Sequence, residues 1–170
     1  MKKTNHILYI CLAAAFTAIV CLITLFIQIP IPLGYFNIGN CIILTFCCLL
    51  PCPYGIIVGS AGSALADLLS FPVWAVPTLI IKAAMPLLFY GMKKLPLKSQ
   101  YAAILIAGIV SMLIPFAGYT FTGAILYGSL AAGLSQVPGL ALEYAANIIL
   151  FAILSFAVEK TKLSRLINKE

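Results

Sequence analysis

Asp67, Lys82 and Glu143 are ionisable residues set inside long apolar stretches of the sequence, and Asn37, Asn40 and Asn147 interrupt stretches of the same kind. Two carboxylates and an ammonium could act as acid and base groups, or could hydrogen-bond a polar ligand. The acid–base reading has little else to draw on. The one histidine, His6, lies near the N-terminus, and no nucleophile–base spacing accompanies the carboxylates. A charge in apolar surroundings is costly, so it marks a functional position by default and its partner must be named. Glu143 and Asn147 stand at i and i+4, on one face of a helix. The structural alternative pairs Asp67 with Lys82 and uses the asparagines to cap helix ends.

The elements that carry these residues follow from composition. Of 170 residues only 8% are charged and 64% are hydrophobic, and mean hydropathy is +1.15. Soluble domains carry about 25% charged residues, so this chain lacks the polar surface to cover itself in water. Soluble enzymes, nucleic-acid binders and disordered proteins are excluded, and an all-α integral membrane protein is expected. No GxxxxGK[ST] phosphate loop occurs, so nucleotide-driven work would fall to a partner chain. The six cysteines have no zinc-type Cys/His spacing and read as small buried hydrophobes. Cys48 and Cys52 leave room for a regulatory thiol pair.

Hydropathy predicts helices at residues 7–29, 38–50, 54–70, 74–92, 100–125 and 139–158, all in one transmembrane domain spanning 1–170. The first resembles a signal peptide, but no convincing cleavage site ends it, and it is read as a span. Residues 28–37 read as a polar turn punctuated by Pro and Gly, and residues 101–136 as one long helix with an outer loop or as two spans. Charge decides between six and seven spans. With six spans and a cytoplasmic N-terminus, nine of the ten cations fall inside: Lys2, Lys3, Lys93, Lys94, Lys98, Lys160, Lys162, Arg165 and Lys169. Seven spans would place the basic tail outside, against the positive-inside rule. Six spans with both termini cytoplasmic, in the plasma membrane, is the reading adopted. The net charge of +6 then reports topology.

That orientation puts Asp67, Lys82, Glu143 and the three asparagines in the outer half of the membrane. Helix-gluing pairs have no reason to choose one leaflet, whereas a water-accessible pocket open to the outside does. Tyr35, Trp74 and Tyr119 lie at the same level, as interface-belt aromatics or as stacking surfaces for a ligand. Ala14 and Ala18 form an AxxxA on the first helix, and Gly55 and Gly59 a GxxxG on the third. Such pairs allow close helix approach. The glycines suit internal packing, and the alanines suit either internal packing or an external partner.

GYFNIGN at 34–40, GSALADLL at 62–69 and PTLIIK at 77–82 resemble, in order and spacing, the signature blocks of S-components of energy-coupling factor (ECF) vitamin transporters. The riboflavin-type family is the most similar group, and the resemblance covers most of the chain. It implies a six-helix bundle with a vitamin site near the outer face, formed by the last three helices and the first outer loop. It also implies a membrane coupling subunit meeting Ala14 and Ala18, and two cytoplasmic ATPases that use the ATP. No cofactor of its own is implied; the vitamin is the transported substrate. Three departures stand out: Asn40 where the family often has Asp, Pro51-Cys52-Pro53 for a Gly-Pro turn, and Thr122 where an acidic residue is common.

The expected function is capture of a water-soluble vitamin or precursor from outside, with no chemistry performed on it and no nucleic acid involved. The blocks favour pyridoxine or hydroxymethylpyrimidine slightly over riboflavin. The expected substrate-binding residues are Tyr35, Asn37, Asn40, Asp67, Trp74, Lys82, Tyr119, Glu143 and Asn147. The rivals are a solitary facilitator working without ATPases, a small membrane enzyme using Asp67, Lys82 and Glu143, and a purely structural subunit.

Overall fold

A computed structural model describes residues 3–94, 96 and 99–161. In chain order the elements are α1 (Lys3–Phe26), β1 (Ile29–Ile31), β2 (Gly34–Phe36), α2 (Gly39–Leu49), α3 (Cys52–Ser70) and α4 (Pro72–Met92). They continue with α5 (Gln100–Ser111), α6 (Leu113–Leu126), α7 (Leu130–Ser135) and α8 (Val137–Lys160). Among the described residues five stretches are long and apolar enough to cross a bilayer: His6–Phe26, Cys52–Ser70, Pro72–Met92, Gln100–Leu126 and Leu130–Lys160. The molecule is an all-α membrane protein with one small hairpin added. Of the cations that the sequence assigns to the cytoplasm, Lys2, Lys98, Lys162, Arg165 and Lys169 lie outside the described residues.

α2 is only 11 residues long, about 16 Å at 1.5 Å per residue. It is short because it is central. Gly39, Asn40, Cys41, Ile43, Leu44, Thr45, Cys47 and Leu49 are buried, and α1, α3, α4 and α8 surround the helix. A helix that meets protein on all sides need not match the bilayer. Its N-cap residue, Ile38, offers no side-chain cap, so the first amides find acceptors elsewhere. Asn37 Oδ1 takes the Gly39 N–H at 2.7 Å, and Asn147 Oδ1, from α8, takes the Cys41 N–H at 2.8 Å.

α3 packs tightly on α4 because glycine and proline meet there. Pro86 has no N–H to give to the Lys82 carbonyl one turn back. That carbonyl faces Gly59, where an added Cβ would lie 3.0 Å from it and 2.8 Å from Ile43 Cγ2. The GxxxG at Gly55 and Gly59 is therefore an internal packing device.

Residues 100–126 form one bent rod. Pro115 withholds the amide that the Ser111 carbonyl would receive, and α5 gives way to α6 at Met112. A turn through Gly128, whose φ is +63°, leads into α7 and then α8.

The first helix ends at Phe26, short of residue 29. The following segment is a β-hairpin, where a turn was expected, pairing Ile29 with Phe36, Pro30 with Tyr35 and Ile31 with Gly34. Pro32-Leu33 makes the two-residue connection with Leu33 at φ +66°, the proline-then-positive-φ order of a type II turn. Gln28 Nε2 donates to Ser70 Oγ at 3.2 Å, tying the hairpin's base to the end of α3.

Candidate functional site

The hairpin roofs one end of the bundle, where α3 ends and α4 and α8 begin. Beneath it lies a cavity of about 40 Å³ lined by Ile31, Gly34, Tyr35, Asn37, Asp67, Trp74, Tyr119, Gln136, Leu140 and Glu143. A void of about 10 Å³, sharing Tyr119, Leu140 and Glu143 with it, runs on to Asn40 and the bend at Met112 and Pro115.

Two hydrogen-bonded groups make up the polar wall. In the first, Asp67 is 4% exposed and its carboxylate accepts from the hydroxyls of Tyr35 and Thr78. The Thr78 and Tyr119 hydroxyls are hydrogen-bonded at 3.1 Å. Tyr35 belongs to the hairpin, outside the spans. Burial and then the Asp67 charge push its phenol pKa upward, so it remains a donor at physiological pH.

In the second group, Lys82 Nζ donates to Asn40 Oδ1, and Asn40 Nδ2 donates to Glu143 Oε1 at 3.0 Å. The amide thus stands between ammonium and carboxylate. Lys82 is 2% exposed, and its Nζ lies 5.5 Å from the centroid of the Tyr119 ring. Asp67 and Lys82 are held by these neighbours, not by direct bonding to each other.

α4 positions Trp74, Thr78 and Lys82 by their spacing of four, which stacks them on one face. α8 does the same for Glu143 and Asn147. Trp74 closes the side of the cavity: its Nε1 donates to the Leu33 carbonyl at 2.9 Å, and its ring meets Tyr119 edge-on with centroids 5.7 Å apart. The indole therefore holds the hairpin's strained tip in place.

Of the nine residues expected at the site, Tyr35, Asn37, Asp67, Trp74, Tyr119 and Glu143 line the main cavity, and Asn40 lines its extension. Lys82 stands behind Asn40. Asn147 is occupied by backbone: besides the Cys41 amide, its Nδ2 donates to the carbonyls of Asn37 and Glu143, each at 2.9 Å. It locks α8 to the start of α2, so helix capping describes Asn147 and the side chain of Asn37. Thr78 and Gln136 are wall residues that sequence reasoning missed. Thr78 lay inside the PTLIIK block, one turn before Lys82, and that spacing was the available signal. Gln136 offered only its position, as an uncharged polar residue between apolar helices.

Ala14 and Ala18 are exposed on α1, whereas Ala13 and Val20 on its other face are buried. The alanine pair does not pack within the chain.

Comparison with known proteins gives these features a context. A protein of Pyrococcus woesei, described as an uncharacterized protein in gap 3′ region, is 33% identical over 107 residues, which is 62% of this chain and 71% of that protein. The sequence model described as "ECF-type riboflavin transporter, S component" matches residues 4–160, and so takes in the hairpin, both polar groups and every described span. The chain belongs to the family of ECF-type riboflavin transporter S components.

Proposed function

We propose that this chain captures a compact, water-soluble heteroaromatic vitamin or precursor from the outside, in the cavity under the hairpin. Six crossings with both termini cytoplasmic place that cavity at the outer face, with residues 100–126 crossing once as a bent helix and α7 lying in the last outer loop. The observation that carries this reading is the roofed polar wall. Two carboxylates and three aromatic rings line one cavity, with a buried ammonium held behind Asn40, at one end of an otherwise apolar molecule. Pockets of this make-up bind small ligands, and intramembrane charges mark substrate sites.

Tyr119 and Trp74 supply ring surfaces, Asp67 and Glu143 accept from ligand N–H or O–H groups, and Asn40 presents the charge of Lys82. The cavity of about 40 Å³ is far below the roughly 300 Å³ of small-molecule pockets. The hairpin, with its Tyr35–Asp67 and Trp74–Leu33 bonds, therefore shifts to admit a ligand of that size. Release into the cytoplasm is the work of a membrane coupling subunit and two ATPases, met through the exposed alanine face of α1.

Mass spectrometry of small molecules released from the purified protein tests the reading, followed by titration with pyridoxine, hydroxymethylpyrimidine and riboflavin. Submicromolar binding of one of them is expected. Binding of none would overturn the proposal, and uptake into vesicles lacking the coupling subunit and ATPases would favour a solitary facilitator.

A further inference from the structure

Gln136 lies between α7 and α8 and is 2% exposed, yet its side chain is poorly satisfied. Nε2 donates to the Tyr119 carbonyl at 3.4 Å, the long limit of a hydrogen bond, and among the described residues no donor is recorded on Oε1. Gln136 lines the cavity, with Oε1 on the Gly34 side beneath the hairpin.

The amide occupies its place because residue 123 is glycine. A Cβ there would collide with Gln136 Nε2 and crowd Gln136 Cδ at 3.3 Å, while the nearest other residue, Trp74, would stand at an ordinary 3.6 Å through Cη2. The collision is with the far end of a flexible side chain, so alanine at 123 would displace the amide and leave α6 intact.

We infer that Gln136 is a specificity-determining residue of the vitamin site, held in position by Gly123, and that its Oε1 accepts a hydrogen bond from an N–H or O–H at the ligand's edge. This rests on the vitamin-capture reading above. Gln136, Leu140 and Glu143 follow one another at spacings of four and three, so α8 and the residue before it place two acceptors on one side of the cavity. A ligand carrying donors towards that side is selected over one methylated there, because the methylated form leaves an acceptor unpaired.

The test is calorimetric titration of the purified full-length chain with riboflavin, pyridoxine and hydroxymethylpyrimidine, then with N- or O-methylated forms of whichever binds. Gln136→Leu is expected to weaken binding about tenfold, the effect of one lost hydrogen bond, and to abolish discrimination against a methylated form. Gly123→Ala should weaken binding in the unmodified background and have no further effect beside Gln136→Leu. Thermal unfolding of each variant separates misfolding from a lost contact. Unchanged affinity and discrimination in a folded Gln136→Leu protein would overturn the inference alone. So would a Gly123→Ala effect of equal size in both backgrounds. If the unmodified chain binds none of the three vitamins, the capture reading falls and this inference falls with it.

Discussion

Asn40 uses both ends of its amide, accepting from Lys82 and donating to Glu143 at 3.0 Å. Aspartate, which the resemblance leads one to expect there, could accept from the lysine but would set a second acceptor against Glu143. The asparagine is matched to the glutamate. Asn40→Asp should therefore destabilise the protein by about 1–3 kcal/mol, and adding Glu143→Gln should restore most of that loss by supplying a donor. Thermal unfolding of the two single variants and the double variant checks this as a double-mutant cycle. Lys82→Met keeps the bulk and removes a buried charge, so it should fold and yet bind the vitamin at least tenfold more weakly by calorimetry. At this scale the sequence revealed the charges and not their partners. Apolar context is enough to flag Asp67, Lys82 and Glu143 as anomalous. Thr78 is different, because a threonine in a helix bonds its own backbone by default, and only the position of Asp67 across the α3–α4 junction turns it outward.

Among the elements, the junction of α3 and α4 is the tightest constraint. Gly59→Ala would force its methyl against Ile43 and the Lys82 carbonyl, and a loss of about 1–3 kcal/mol is expected, read as a lower thermal midpoint. The hairpin is the soft counterpart. Trp74→Phe removes the donor to the Leu33 carbonyl and should raise the vitamin's dissociation rate about 3- to 10-fold, measured by displacement of labelled ligand. Helices of 19 residues and more were legible because hydropathy accumulates along them. The hairpin was not, since strands of three residues are too short to show alternation and Ile-Pro-Ile-Pro reads as a turn. The bend at Met112 hides for a related reason: Pro115 is one residue within apolar sequence that looks continuous.

For the whole molecule, α1 has one face buried in the bundle and the other exposed outside it. Ala13 and Val20 are buried in the bundle while Ala14, Ala18 and Leu22 are exposed, and no polar residue of the wall lies on this helix. Ala14→Trp should leave vitamin binding by the isolated chain unchanged and abolish ATP-driven uptake in vesicles that contain the coupling subunit and ATPases. The chain also has a single tryptophan, and that residue is Trp74, 5% exposed in the cavity wall with its Nε1 bonded to the hairpin tip. The molecule thus carries one indole fluorophore at the position where the proposed opening and filling would both occur. Hairpin release would pass the indole N–H from a carbonyl to water and shift its emission to the red. An aromatic guest stacking nearby would quench it, so the two events would have separate optical signatures in the unlabelled protein.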